Sequence, residues 1–277
     1  MSLDSNATLQ KWVGRTREVE DIATPRLLAS FEAMLGLHAV RSDVAPPGLH
    51  WCVTPDIADA GELGPDGHQA KGGFLPPVPL PRRMWAGSDV RFMAPIRSGD
   101  TIHRRSTLSA VEEKQGRTGR LTFVTVRHEI ANAAGPLVEE DQIIVYRAAE
   151  AGAAASAPPP RLATSHERIV DVDPVLLFRY SALTFNSHRI HYDAPYATGV
   201  EHYPGLVIHG PLQATLLMNF AAIIVGQAPR RFSFRGVRPA IGPQTLLLSG
   251  TARGKDDMDM EARGSDGHVT VKATAQW

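Results

Sequence analysis

At 277 residues with 43% hydrophobic side chains, the chain can bury the core of one large domain or two small ones, which excludes a disordered tail and a disulfide-stapled miniprotein. Lys and Arg total 29 against 29 Asp and Glu, and this zero formal charge argues against electrostatic capture of nucleic acid or acidic membrane. The single cysteine, Cys52, rules out an intramolecular disulfide framework and a Cys-rich metal cluster.

The first twelve residues, MSLDSNATLQKW, have neither a basic nor an apolar leader segment, so a cytoplasmic, reducing compartment is expected. Thr24 ahead of Pro25 predicts a capped helix over Leu27–Leu37. Residues 55–77, PDIADAGELGPDGHQAKGGFLPP, are too rich in glycine and proline for a long helix. Trp85 and the proline run 76–81 are read as packing, with a substrate lid as the alternative. Alternating runs then predict strands at Asp89–Met93, Thr101–Val111, Arg120–Ile130 and Gln142–Arg147.

Residues 148–160, AAEAGAAASAPPP, have little to bury and stiff prolines, and are read as a linker. It divides the chain into an N-terminal unit, 1–147, and a C-terminal unit, 161–277. In the second unit the stretch between Pro204 and Gly226 holds the strongest helix signal, with Gly210 as N-cap and Pro211 as the first helical residue. No side chain from Tyr203 to Pro229 is charged, yet His209, Gln213 and Asn219 interrupt the run. It therefore reads as a helix wrapped by sheet rather than a membrane span. Strands are expected at Phe232–Arg238, Thr245–Ala252, Met258–Arg263 and Val269–Gln276. A helix followed by antiparallel strands, twice over, is an α+β pattern.

The two units also resemble each other. Setting Pro25 on Pro174 places Leu27 on Leu176, Leu28 on Leu177, Phe31 on Tyr180 and Ala33 on Ala182. Further on, VRFMAPI from Val90 matches FRGVRPA from Phe234 at Arg91/Arg235 and Pro95/Pro239. Matches in the same order at similar offsets point to a duplicated fold. The region that should hold the first unit's central helix is the glycine-rich 55–77, so that helix is expected to be lost, leaving room for an acyl group.

Histidines 188, 191, 202 and 209 fall within 22 residues, where an even spread of the chain's 11 would place about 0.9. Asp193 before Ala194-Pro195 reads as a helix cap, which puts His191 just outside a helix start. The segment Thr184-Phe-Asn186-Ser-His188-Arg189-Ile-His191-Tyr-Asp193 resembles the Ser-Gly-Asp-x-Asn-Pro-Ile/Leu-His-x-Asp motif of MaoC-type R-specific enoyl-CoA hydratases. Ile208-His209-Gly210 resembles that family's entry to its central helix. The variant TFNSHRIHYD, with LPRRMWAG from Leu80, is similar to a branch that includes mesaconyl-C4-CoA and itaconyl-CoA hydratases. The resemblance implies a double hot-dog, two fused helix-wrapped antiparallel sheets, and hydration or dehydration of a short branched or dicarboxylic 2-enoyl-CoA.

Such chemistry needs a base for water, a proton for the α-carbon and donors for the enolate oxygen. His191 is the expected general base and acid, and the Gly210 amide at the helix start is the expected oxyanion donor. The motif's Asp is replaced by Asn186, which orients water but takes up no proton. His188 or Asp193 is the alternative second group. His188, Arg189, His209, Arg82 and Arg83 are the expected substrate-binding side chains, the arginines for CoA phosphates or a carboxylate. The first unit has Leu37 opposite Asn186 and Ser42 opposite His191, so one site per chain is expected, in the second unit. His188, His191 and Asp193 also read as metal ligands, but their spacing lacks the HExxH form, and no metal or redox cofactor is expected. The expected partners are an acyl-CoA and a second copy of the chain. A hot-dog thioesterase and a non-catalytic acyl-thioester binding protein are the rival readings.

Overall fold

The computed structural model describes residues 8–40, 44–116, 119–148, 157–161 and 166–277. Strand β1 (Thr16–Ile22) leads into helix α1 (Pro25–Leu35). The Thr24 hydroxyl accepts from Leu27 N at 3.1 Å, satisfying one of the free first-turn amides, and Pro25 fills a position with no amide to lose. The helix stops at Leu35, short of the expected Leu37, because Gly36 turns to a positive φ of 56°. Strands β2 (Arg82–Phe92), β3 (Thr101–Gly116), β4 (Gly119–Asn132) and β5 (Gly135–Arg147) complete the first half.

The second half repeats this plan. Strand β6 (His166–Val172) leads into α2 (Pro174–Leu183), whose cap Asp173 accepts from Leu176 N at 2.7 Å. A short helix α3 (Ala194–Gly199), strand β7 (Leu206–Ile208) and helix α4 (Gly210–Val225) follow. Strands β8 (Arg231–Gly236), β9 (Ala240–Gly242), β10 (Gln244–Ala252), β11 (Asp257–Arg263) and β12 (Val269–Gln276) close the chain.

Ten strands form one antiparallel sheet in the order β1-β3-β4-β5-β2-β8-β12-β11-β10-β6. The order is symmetric about its centre, β1 answering β6, β3 answering β10 and β2 answering β8. The sequence matches at Pro25/Pro174 and Val90/Phe234 are therefore matches of structurally equivalent elements. The halves meet at β2–β8, where Val90 lies opposite Phe232. Gly87 pairs with Arg235 at this seam, beside a bulge in the β2–β5 pairing, and a Cβ there would come within 2.2 Å of the Phe234 carbonyl oxygen. Only glycine lets the two backbones approach so closely.

Strands β1 and β6 lie at the two ends of the sheet and carry the charged sequences TREVEDI and HERIVDV. Their polar alternation suits edge strands and hid them from a search for apolar runs.

Helix α4 begins one residue earlier than expected. His209 is its N-cap, and Gly210 and Pro211 lie in the first turn. Gly226, at φ 84°, ends it in the left-handed conformation. Twelve of its 16 residues are buried, so it is apolar all round because it is covered all round. It packs on β8, β10, β11 and β12 of its own half and on β2 of the other.

Between α1 and β2 the described residues form only short 3-10 turns, and no α-helix spans 55–77. The segment before them leans on α4 instead. Asn219 donates from Nδ2 to Pro47 O at 2.8 Å and accepts at Oδ1 from Val40 N, while Gly48 packs against Thr215. One helix thus serves both halves. Ser42 and residues 149–156 of the expected linker lie outside the described residues. No helix among the described residues is long and apolar enough to cross a membrane.

Candidate active site

A cavity of about 870 Å³ lies between the two halves. Its walls include residues 55–69 in part, the motif loop 184–188 with Ile190 and His191, the first turn of α4, and side chains of β4 and β5. This is the size of a pocket that encloses an organic ligand.

The motif loop is shaped by local backbone chemistry. The Thr184 hydroxyl returns to Tyr180 O at 2.7 Å, and Phe185 turns the chain at φ 50°. Asn186 N then donates to Ser181 O, and Asn186 Oδ1 accepts from His188 N at 3.0 Å, which closes an Asx turn. A 3-10 turn over Arg189–His191 follows, and Asp193 caps α3 by accepting from Tyr196 N at 3.1 Å.

His191 is buried and donates from Nδ1 to Val207 O at 2.7 Å. A carbonyl only accepts, so the proton of the neutral ring sits on Nδ1 and Nε2 keeps the lone pair. Burial pushes its pKa down to about 4, with the Val207 hydrogen bond acting the other way. The ring is therefore a neutral base at physiological pH. His209 stacks on it, with centroids 3.6 Å apart and planes 19° apart, and its Nε2 pairs with Ser181 Oγ at 2.9 Å. Fully buried and not on the cavity wall, His209 fixes the plane of His191 and touches no ligand space. Gly210 does line the cavity, at the positive end of α4.

His188 lines the cavity between His191 and a residue of the first half, His68. Arg83 lines it as well, its Nη2 donating to Gln69 O at 3.1 Å. Two of the expected binding arginines stand elsewhere. Arg189 is held by Asp193 at 2.9 Å and by Pro65 O at 2.9 Å, over the Tyr196 ring. Arg82 is held by the Glu201 carbonyl and carboxylate and lies over Tyr203. Their guanidinium groups are spent on pinning loops, Arg189 on the nearby Asp193 as well as the distant Pro65 carbonyl, and Arg82 on the distant Glu201. Arg104, Arg147 and Arg238 do line the cavity, Arg104 paired with Asp56 and Arg238 with Asp266 at 3.8 Å. Asp193 is engaged by the α3 amide and Arg189, which removes it as the second acid–base group.

The cavity also holds groups that sequence reasoning missed. Asp66 and His68 come from the glycine-rich segment 55–77, whose composition signals only the absence of a helix. Glu140, His128 and Trp51 line the first-half wall. Glu140 is buried and accepts from Trp51 Nε1 at 3.0 Å and from Ser88 Oγ at 2.5 Å, with His50 Nε2 3.8 Å away. Burial raises its pKa to about 7, against the pull of those two hydrogen bonds. Burial also pushes the adjacent His50 down to about 3, so the imidazole stays neutral. A carboxyl whose folded pKa lies above its unfolded one favours folding in its protonated form. That contribution is whole below about pH 4.5 and is lost as pH rises through about 7. Glu140→Gln is expected to flatten the fall in melting temperature between pH 5 and 8; an unchanged slope would show that Glu140 titrates as an ordinary carboxylate.

Among known protein families, the hydroxyacyl-thioester dehydratase type 2 model matches residues 48–242. The chain is 43% identical over 280 residues to the mesaconyl-C(4)-CoA hydratase of Chloroflexus aurantiacus, covering 98% of this chain and 99% of that one. A MaoC-like dehydratase from Phytophthora capsici superposes with a TM-score of 0.72 at 15% identity, covering 97% of each chain. A Mycobacterium tuberculosis protein described as a double hotdog superposes with a TM-score of 0.60 at 14% identity, covering 95% of this chain and 96% of that one. These two likenesses bear on the fold, and they match the α+β arrangement of two sheet halves around a central helix.

Proposed function

The chain belongs to the hydroxyacyl-thioester dehydratase type 2 family, and from that membership we propose that it catalyses reversible hydration of a 2-enoyl-CoA. The observation that carries the reading is that one cavity joins the lone pair of His191 to the first turn of α4. Water held at His191 Nε2 and oriented by Asn186 attacks Cβ of the conjugated double bond. The electron pair of that bond moves toward the thioester, whose oxygen is stabilised by the Gly210 amide and the helix dipole. Protonation at Cα completes the addition, and the reverse steps expel water.

For the acyl group, we propose a short branched or dicarboxylic unit of the mesaconyl-C4 kind. This rests on the relative's named substrate and on the guanidinium groups of Arg83, Arg104, Arg147 and Arg238 along the cavity, which suit a carboxylate or CoA phosphates. A homodimer, paired along the charged edge strands or elsewhere, and a cytoplasmic setting complete the proposal.

The test is loss of enoyl-thioester absorbance with purified full-length protein and mesaconyl-C4-CoA, itaconyl-CoA or crotonyl-CoA. Hydration is expected, with kcat/KM for a dicarboxylic substrate at least about tenfold above that for crotonyl-CoA, since a second carboxylate gains a charge-assisted hydrogen bond from the arginine wall, about 1.5 kcal/mol or more, that crotonyl-CoA cannot make. Release of free thiol without hydration would replace this reading with a thioesterase. Tight binding without turnover would replace it with a binding protein.

A further inference from the structure

The loop that takes the place of the first half's central helix brings a carboxylate and an imidazole to the motif loop. Asp66 Oδ2 lies 3.2 Å from His68 Nδ1, and Asp66 Oδ1 accepts from His68 N at 3.1 Å. The His68 ring meets His188 with 3.9 Å between centroids, and His188 meets His191 at 5.4 Å. His68, Asn186, His188 and His191 all line one cavity. Three hydrogen bonds pin the loop to the motif: Arg189 N to Asp66 O at 2.9 Å, Ser187 Oγ to Gly67 O at 2.5 Å, and Arg189 Nη1 to Pro65 O at 2.9 Å.

The motif loop has no carboxylate able to handle a proton, because Asn186 stands at that position and Asp193 is turned into α3. An imidazole whose Nδ1–H is held by a carboxylate keeps its Nε2 lone pair for water and has its cation stabilised. His191 is backed by a neutral carbonyl and flanked by neutral rings. When two such bases meet one water, the proton settles where the resulting cation is better stabilised.

We propose, building on the hydratase reading above, that Asp66 and His68 are the second acid–base pair of this site, His68 carrying the proton and Asp66 positioning it. In hydration, water bridges His191 and His68. Its oxygen bonds to Cβ as one proton passes to His68 Nε2, and the double-bond electrons move onto the thioester as an enolate. His68 then returns that proton to Cα as the enolate collapses, so H and OH are added and both imidazoles end neutral. His191 holds the second hydrogen of the water throughout. The missing carboxylate of the motif is thus supplied from the other half of the duplicated fold.

The charged and titratable groups around His68 are Asp66 on its own loop, Arg83 on β2, Glu201 beside α3 and His188 on the motif loop. Burial holds the His68 pKa below its ordinary value and Arg83 adds to this, while the hydrogen bond and charge of Asp66, with Glu201, act the other way. Asp66, His68 and His188 also bring their ligand atoms within 4.8 Å of one another, a grouping that a divalent ion would suit. The closely overlapping His68 and His188 rings favour packing over shared coordination, where ring nitrogens converge on an ion about 2 Å away and spread the rings apart.

The experiment compares wild type, His68→Ala, His68→Gln, Asp66→Asn and Asp66→Glu as full chains, measuring mesaconyl-C4-CoA hydration between pH 5 and 9 and metal content. Both His68 variants should lose about 10²–10³-fold in kcat with KM within about threefold. Asp66→Asn should lower kcat about tenfold or more and move the acid limb of the kcat profile to lower pH, because the imidazolium loses its carboxylate; Asp66→Glu should restore part of both. His68→Gln is included because it keeps side-chain volume should alanine loosen the loop. A His68→Gln enzyme within about threefold of wild-type kcat, or an Asp66→Asn limb that does not move, would overturn the proposal. So would one equivalent of divalent metal per chain with activity lost to EDTA, which would make the cluster a metal site. A wild type that hydrates none of the three enoyl-CoAs overturns the hydratase reading itself; an active wild type with active His68→Gln overturns only the pair.

Discussion

His191→Ala is expected to lower kcat for enoyl-CoA hydration by about 10³-fold, within the range that positioned acid–base groups contribute. The loss has two parts. The Nε2 lone pair that holds one hydrogen of the water is removed, and the stacked His209 does not replace it, since it uses Nε2 on Ser181 and lies off the cavity wall. The ring also closes the loop through Nδ1 to Val207 O, so alanine leaves that buried carbonyl without its donor. The second effect is expected to cost stability of about 1–3 kcal/mol. The two are separable, because KM reports substrate binding by the rest of the cavity and should change little. A variant that folds, binds and still turns over within tenfold of wild type would remove His191 from the reaction. Asn186→Asp tests the same site from the other side. A carboxylate there restores a proton acceptor to the motif loop, and a higher rate would show that the amide limits the site.

Gly67→Ala is the second change with a large expected effect. Gly67 has φ 85°, where a side chain costs about 1–2 kcal/mol, and its Cβ would lie 2.0 Å from the Ser187 carbonyl oxygen. The atom met is a backbone oxygen that cannot swing aside as a side chain could, so the loop carrying Asp66 and His68 must lift from the motif loop. A fall of at least about tenfold in kcat is expected, since displacements near 1 Å in a catalytic group cost of that order or more. Gly72→Ala is the matched control. It has φ 95° but its nearest neighbour is the Pro77 side chain at 3.8 Å, so it carries the backbone strain without the clash. Both variants should melt a few degrees lower, at roughly 2–4 °C per kcal/mol. Equal activity in the two would mean that docking of the 64–69 loop does not matter to catalysis.

The placement of these residues shows how far a linear reading reaches. Thr24-Pro25, the uncharged 211–225 run and Asp193-Pro195 are local signals, decided by capping and by burial of one segment, and each became the expected helix within one or two residues. The Pro25/Pro174 match was legible because the two helices play the same part in the two halves. The motif histidine was legible because its neighbours in sequence build its turn. His209 at the cap, Arg82 and Arg189 were placed at the site by proximity alone, and the structure spends each of them on a contact whose partner lies far along the chain or in the backbone.

What the sequence by itself determined is the set of elements, their duplication, the neutral and apolar central helix and the His191 loop, all products of short-range periodicity and capping. What only the tertiary structure decided is which groups meet across the halves. The β2–β8 seam, the sharing of α4 by both halves and the docking of Asp66 and His68 on Ser187 and Arg189 join residues about 120 to 180 positions apart. Such contacts depend on register and loop path, and Asp66-Gly67-His68 reads in isolation as a polar turn because nothing local marks its partner.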